Sequence, residues 1–136
     1  MECIFCNIVA GTLPCEKVYE DNHVLAFLDI EPANPGHTLV IPKAHFDDIT
    51  TTPDELLAHV MRVAKKIGQA AQKGLGVQGF NVDINNGAVA GQVIFHVHVH
   101  VIPRVVSDGY QMWHGRPYVQ GEAAVIGAQL RKALVL

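Results

Sequence analysis

His96, His98 and His100 alternate with Val97, Val99 and Val101 near the end of the chain. In an extended strand successive side chains point to opposite faces, so the three imidazoles share one face and the three valines the other. The valine face reads as core and the imidazoles as the lining of a surface or cleft. Thr, Lys or Glu would make an ordinary polar face equally well, so the row points to chemistry. One chemistry is metal binding. The α-carbons of His96 and His100 would lie about 13 Å apart at about 3.3 Å per residue, whereas zinc holds each ligand nitrogen within about 2.1 Å. One or two of the row could ligate a metal, hardly all three. The other chemistry is nucleophilic. A neutral imidazole is itself a nucleophile and titrates near pH 6.5, and neighbours in the row could orient it and manage protons during attack at phosphorus or an acyl carbon.

Cys3 and Cys6 form a second constellation. The CxxC spacing is half of a structural zinc site, and alone it is equally compatible with redox chemistry or accident. Cys15 makes the count odd. With no secretory signal at the acidic Met1-Glu2 start, a reducing compartment is expected, and a disulfide framework is a poor reading.

The remaining composition narrows the partners. Ten Lys and Arg stand against thirteen Asp and Glu, a net charge of -3, and the basic clusters are no larger than Lys65-Lys66 and Arg131-Lys132. No broad nucleic-acid surface is expected. Apolar runs reach about five residues, short of the roughly 18 that span a bilayer, so no membrane helix is expected and the cytoplasm is the expected location. With 49% hydrophobic and 17% charged residues in 136, the chain reads as one globular domain over 1–136. Its core would lie at about 3–104, with a tail at about 105–136.

These residues need a scaffold. Residues 4–10 suggest a short helix closed by Gly11, and 16–20, 24–29 and 38–42 read as strands, with turns at Asp21-Asn22 and 32–36. Thr52-Pro53-Asp54-Glu55 reads as a capping box with Pro at the first helical position. Leu57, Val60, Met61, Ala64, Ile67 and Ala71 then recur at helical spacing, and Gly74 supplies the stop. Residues 79–85 read as a strand, 86–91 as a loop and 93–102 as the strongest strand, ended by Pro103. A modest amphipathic helix follows at about 122–134. The pattern is α+β: a mainly antiparallel five-stranded sheet, one long helix packed on it and a C-terminal helix.

The run from Gly91 to Arg104, GQVIFHVHVHVIPR, resembles the signature of the histidine triad (HIT) family of nucleotide hydrolases and transferases. The likeness extends upstream through Cys3-Ile4-Phe5-Cys6, Ala26-Phe27-Leu28-Asp29-Ile30 and Gly36-His37-Thr38-Leu39-Val40-Ile41-Pro42-Lys43-Ala44-His45. It implies a HIT-like fold, a homodimer, and hydrolysis of AMP or GMP linked to a leaving group through a dinucleoside polyphosphate or phosphoramidate type of bond. In this family the residue matching His98 attacks the α-phosphorus and forms a covalent nucleotidyl-histidine that water releases. His100 matches the residue assisting the leaving group and His96 the orienting histidine. Asn85 and Gln92 match neutral donors to the phosphate, Asp29 the acid that holds the ribose hydroxyls, and Ile4, Phe5, Leu13, Phe27 and Ile30 the pocket around the base. His45 and His96 would join Cys3 and Cys6 around a structural zinc, while the chemistry itself needs no cofactor. Val93 stands where many members carry Ser or Thr, and Trp113 marks a tail that varies across the family. Gly87 and Gly91 flank a loop whose amides could face phosphate. The resemblance also admits two other functions, nucleotidyl transfer to an acceptor other than water and a non-catalytic nucleotide-binding regulator; the complete row of histidines speaks against the second.

Overall fold

The structure, a computed structural model, describes residues 2–134; Met1 and residues 135–136, the ends of the expected domain, lie outside them. Strands β1 (Lys17–Glu20), β2 (Val24–Leu28), β3 (Thr38–Pro42), β4 (Gly79–Asp83) and β5 (Val99–Arg104) form one sheet in the order β1-β2-β3-β5-β4. Every neighbouring pair is antiparallel. Among the described residues three α-helices accompany the sheet: α1 (Ile4–Ala10), α2 (Asp54–Leu75) and α3 (Glu122–Ala133). The expected α+β architecture, five antiparallel strands with one long helix and a C-terminal helix, is present.

Because side chains alternate along each strand, the sheet has two apolar faces. On one, Val24, Ala26, Val40, Val99 and Val101 meet Val60, Val63, Ala64 and Ile67 of α2. Met61, expected in that stripe, lies at its edge and is 40% exposed. On the other face, Leu25, Phe27, Leu39 and Ile41 meet Phe5 of α1. The second core is smaller because α1, at seven residues, is only about two turns long, and beside it the sheet stays open. That opening is where the histidines stand.

Short-range chemistry fixes α1. The Cys3 thiolate or thiol sulfur accepts the Cys6 N–H at 3.3 Å at the start, and Gly11 closes the end with φ 82°. The amides of Thr12 and Leu13 then both donate to the Asn7 carbonyl, at 3.0 and 3.2 Å. The chain folds back tightly, and Leu13 comes to the same opening as Ile4 and Phe5.

Three expectations about boundaries are corrected. The capping box at Thr52 does not form: Pro53 occupies the cap with no side-chain bond, and the Thr52 hydroxyl donates to the Asp48 carbonyl at 2.7 Å. The preceding turn has claimed that hydroxyl, and Asp54 and Glu55 supply only favourable charge at the helix start. The helix also runs through Gly74 and ends at Gly76, which holds the left-handed φ of 68°. Finally, the last strand begins at Val99, not at 93, and continues through Pro103. Upstream of Val99 the segment leaves the ladder, since the Val97 N–H donates to the Phe46 carbonyl at 2.7 Å. At the other end β3 stops opposite Val101, so beyond it β5 has β4 alone as a partner, a setting that tolerates proline.

Candidate functional site

The face expected from the alternation is kept even where the ladder is not. Phe5 lies edge-on to the rings of both His96 and His98, with centroids 5.9 and 5.1 Å away, and the rings of His98 and His100 are 4.9 Å apart. All three imidazoles therefore sit on the α1 side of the sheet, while Val99 and Val101 are fully buried under α2.

Hydrogen-bond partners set the tautomer of each ring. The imidazole of His96 is fully buried, and its Nε2–H donates to the Pro42 carbonyl at 2.8 Å, so its Nδ1 lone pair points the other way. His98 donates its Nδ1–H to the His96 carbonyl at 2.8 Å, which leaves Nε2 unprotonated in the cleft. For His100 the tautomer is set at one remove. The Ala33 N–H donates to His37 Nδ1 at 3.0 Å, so neutral His37 carries its proton on Nε2 and gives it to His100 Nδ1 at 2.9 Å. The proton of neutral His100 is then on Nε2. A nucleophile and a proton donor thus stand side by side, each fixed by hydrogen bonds to groups that do not titrate near neutrality or by a neutral imidazole.

Burial pushes the proton affinity of His37, His96, His98 and His100 below the ordinary histidine value. The Asp29 carboxylate, 3.7 Å from His37 Nε2, opposes that effect at His37, His98 and His100 without reversing it. The row is therefore neutral at pH 7, the state in which the tautomers just described exist.

Sequence reading left His37 without a role. It sits 63 positions from His100 and follows Gly36 in a turn, where its only local signal is a polar residue before an apolar strand. The sheet register, with Leu39 opposite His100, brings it to the row.

The cleft beside these rings has a volume of about 690 Å³. Ile4, Phe5, Leu13, Phe27, Asp29, Ile30, Asn85, His98 and His100 all line it, together with Gly91 and Val93. Gln92 is placed differently from the phosphate-facing position implied by the resemblance. It is 3% exposed, its amide N–H groups go to the carbonyls of Asp47 and Ile94, and its oxygen accepts the Gly87 N–H. A side chain so fully engaged shapes the 86–92 loop instead of offering a free donor. Gly87 and Gly91 take positive φ of 91° and 93° around the turn Ala88–Ala90, and Asn85 Nδ2 donates to the Gly91 carbonyl at 3.4 Å. Trp113 does not line the cleft and is 81% exposed.

A second cluster lies behind the row. Cys3 Sγ, Cys6 Sγ, His45 Nδ1 and His96 Nδ1 all fall within 4.8 Å of one another. The sulfur–nitrogen separations are 3.4 Å for Cys3–His96, 3.4 Å for Cys6–His45 and 3.6 Å for Cys6–His96. A tetrahedral zinc with ordinary bond lengths has sulfur–nitrogen edges of about 3.6 Å. Both imidazoles also turn their Nε2–H away to oxygen acceptors, the Pro42 carbonyl and the Asp47 carboxylate at 2.8 and 3.0 Å, as metal-ligating histidines do. The four residues fit zinc. Asp29, His37 and His100 also gather, but their nitrogens are 2.9 Å apart. That is a hydrogen bond, shorter than the nitrogen–nitrogen edge of about 3.3 Å around zinc.

Comparison with known proteins accords with this geometry. Residues 10–106, which hold the sheet, α2 and the histidine row, match the HIT domain. The chain belongs to the HIT family. Among solved structures, a HIT family member from Bacillus subtilis covers 100% of this HIT chain and 99% of its own at 41% identity, with a TM-score of 0.92. A zinc-bound histidine triad family protein from Mycobacterium smegmatis covers 98% of each chain at 42% identity, with a TM-score of 0.79. The adenylylsulfatase HINT3 of Arabidopsis thaliana is 45% identical over 107 residues, 79% of this HIT chain and 54% of its own length. In none of the helices of this HIT protein described here is there a stretch long and apolar enough to cross a membrane.

Proposed function

We propose that this HIT protein hydrolyses nucleotides of the type AMP-X or GMP-X at the α-phosphate through a nucleotidyl group carried on His98. One observation carries the reading: the Nδ1–H of His98 is bound to a backbone carbonyl, so the free Nε2 lone pair faces a cleft of nucleotide size. Attack by Nε2 forms the phosphorus–nitrogen bond while His100 gives its Nε2 proton to the leaving atom. Water then enters, its proton returns to His100, and the nucleoside monophosphate leaves. Asp29, which lines the cleft and accepts the Glu31 N–H through Oδ1, has Oδ2 for the ribose hydroxyls. Ile4, Phe5, Leu13, Phe27 and Ile30 surround the base and Asn85 faces the phosphate, whereas the amides of Gly87, Ala90, Gly91 and Gln92 are engaged within their own loop. Gln92 acts indirectly, by holding that loop in shape.

Zinc is the metal we propose for Cys3, Cys6, His45 and His96. Its chemistry is structural: bound there, it joins the N-terminal segment to the sheet. The likeness to a zinc-bound relative and the tetrahedral spacing of the donors support this. A homodimer is the proposed assembly, consistent with α3, which buries none of its side chains within one chain. A cytoplasmic enzyme that meets neither nucleic acid nor membrane completes the reading.

The test is release of AMP from an adenosine phosphoramidate and two dinucleoside polyphosphates by wild-type protein and His98→Asn. Release that disappears in the variant, with a trapped adenylyl group on wild-type His98 by mass spectrometry, is the expected result. Binding without release would favour a transferase or a regulator. Sedimentation at the mass of one chain would remove the dimer.

A further inference from the structure

Residues 29–37 connect β2 to β3 and carry two groups that the cleft depends on, the Asp29 carboxylate and the Ala33 N–H that donates to His37 Nδ1. A backbone bond from the Asp29 N–H to the His37 carbonyl closes the base of this loop at 2.9 Å. Beyond its base, Ile30, Glu31, Pro32, Ala33 and Pro35 are all exposed, so no buried apolar side chain fastens it.

Asn34 supplies the fastening. Its Nδ2 donates to the Pro103 carbonyl at 2.9 Å and to Asp108 Oδ2 at 2.8 Å. Both partners only accept, which fixes the orientation of the amide. β3 reaches no further than the residue opposite Val101, and Asn34 gives the Pro103 carbonyl a donor beyond the end of that ladder.

Asp108 is built to receive this bond. Its side chain is 5% exposed and takes four donors. Arg104 Nη2 and the Tyr110 N–H bind Oδ1 at 2.7 and 2.9 Å, while the Val105 N–H at 2.9 Å joins Asn34 on Oδ2. The Arg104 guanidinium and these amides hold the carboxyl well below the usual carboxylate range, so it is ionised at pH 7. Ser107, just before it, has a φ of 64°, the one positive value outside glycine among the described residues. The chain thus adopts a conformation that L side chains seldom take at the point where it turns Asp108 inward. Asp108 also lies beyond residues 10–106, the stretch that matches the HIT domain, at the head of the tail.

We propose that Asn34 and Asp108 are positioning residues: their bond braces the 29–37 loop so that, on the hydrolase reading above, Asp29 is set for the ribose and His37 keeps the His100 proton on Nε2. Neither side chain transfers a proton or touches the reacting atoms. Without the brace the Ala33 N–H leaves His37 Nδ1, the His37 ring can carry its proton on either nitrogen, and the tautomer of His100 is no longer fixed.

The test uses the intact protein with Asn34→Ala and, as a second variant, Asp108→Asn, which keeps the shape and sets an amide against an amide. Nitrogen-15 NMR of the neutral imidazoles reads the tautomers without any turnover. In wild-type protein His37 and His100 should be protonated on Nε2 alone. In both variants these two rings should become tautomer mixtures while His98 stays protonated on Nδ1. Hydrogen exchange of the Ala33 N–H should be at least about tenfold faster, with the amides of α2 unchanged. Unaltered tautomers of His37 and His100 in both variants overturn the proposal. So does exchange that rises equally throughout the fold, since that reports a loss of stability alone.

The same variants then address the reaction. kcat/KM for an adenosine phosphoramidate should fall about tenfold in each, and the double variant should lose no more than the worse single one, because both changes break one brace. Losses that multiply overturn the pairing of the two residues. If wild-type protein cleaves nothing, the hydrolase reading fails by itself, and the tautomers and the exchange of Ala33 still decide whether the brace exists.

Discussion

The imidazole of His98 donates to the carbonyl of His96, its neighbour but one, across 2.8 Å. This bond makes the position of the nucleophile a property of the backbone at 96, and that backbone is held by the His96 ring, wedged between the Pro42 carbonyl and the sulfur cluster. The row is one object: on the proposed mechanism the first ring anchors, the second attacks, and the third gives and takes a proton.

His37 fixes the tautomer of His100, so it is a positioning residue with a recognisable signature. His37→Asn should lower kcat by about 10- to 100-fold on substrates with poor leaving groups, leave KM nearly unchanged, and cost little on an activated leaving group that needs no proton. Equal losses on both classes of substrate would show a merely structural role.

The pH dependence follows from burial. His37 and His100 have folded proton affinities below the ordinary value near 6.5. The unfolded chain thus binds more protons than the folded one in the window below pH 6.5, and stability contributed by these neutral rings is full above that value and lost as pH falls through the window toward their folded values. The acid limb of kcat/KM should lie below pH 6.5, and the melting temperature should fall over the same range. An acid limb above 6.5 would contradict the burial argument.

Cys3→Ser and Cys6→Ser should each remove stoichiometric zinc, measured by elemental analysis. The loss should cost about 2–4 kcal/mol, seen as a fall in melting temperature of roughly 8–16 °C. Because Ile4 and Phe5 lie between these ligands in sequence and line the cleft, AMP affinity should fall as well. Metal-free wild-type protein with unchanged melting and binding would refute the zinc assignment.

Gln92→Ala leaves the Gly87 N–H and the Asp47 and Ile94 carbonyls without the partner that Gln92 gives them. A loss of about 2 kcal/mol in chemical denaturation is expected. AMP release should fall with it, since the same loop carries Asn85 and Gly91 into the cleft.

At Gly68 in α2 an added Cβ would lie 2.3 Å from the Phe80 ring of β4. Gly68→Ala should therefore destabilise by about 1–3 kcal/mol through overpacking, despite the better helix propensity of Ala. A stabilised variant in the same denaturation experiment would show that the ring can move aside at no cost.

Much of this was legible in the sequence because it depends on local periodicity. The strand alternation at 97–101 assigned the faces correctly, and helical spacing found α2 and its buried Val60, Ala64, Ile67 and Ala71. What was hidden depends on which partner each group finally meets, a choice that periodicity does not encode. Thr52 has the sequence of a cap, but the Asp48 carbonyl holds its hydroxyl. Pro103 reads as a strand end, but whether a strand tolerates proline depends on which of its sides is paired. Gln92 reads as a donor awaiting phosphate until the carbonyls of Asp47 and Ile94 are placed beside it. His37 needed the register of β3 on β5 before it could be seen as part of the row.

Phe5 presents its ring to His96 on the sulfur side and to His98 on the cleft side. Any ligand that shifts this phenyl from one side is felt on the other, and thermodynamic linkage makes such an effect reciprocal. On the proposed reading, whatever factor zinc adds to the affinity for AMP, AMP must add to the affinity for zinc. Where that coupling is favourable, the proposed metal would be held most firmly while nucleotide is abundant, and its apparent dissociation constant would become a gauge of nucleotide supply.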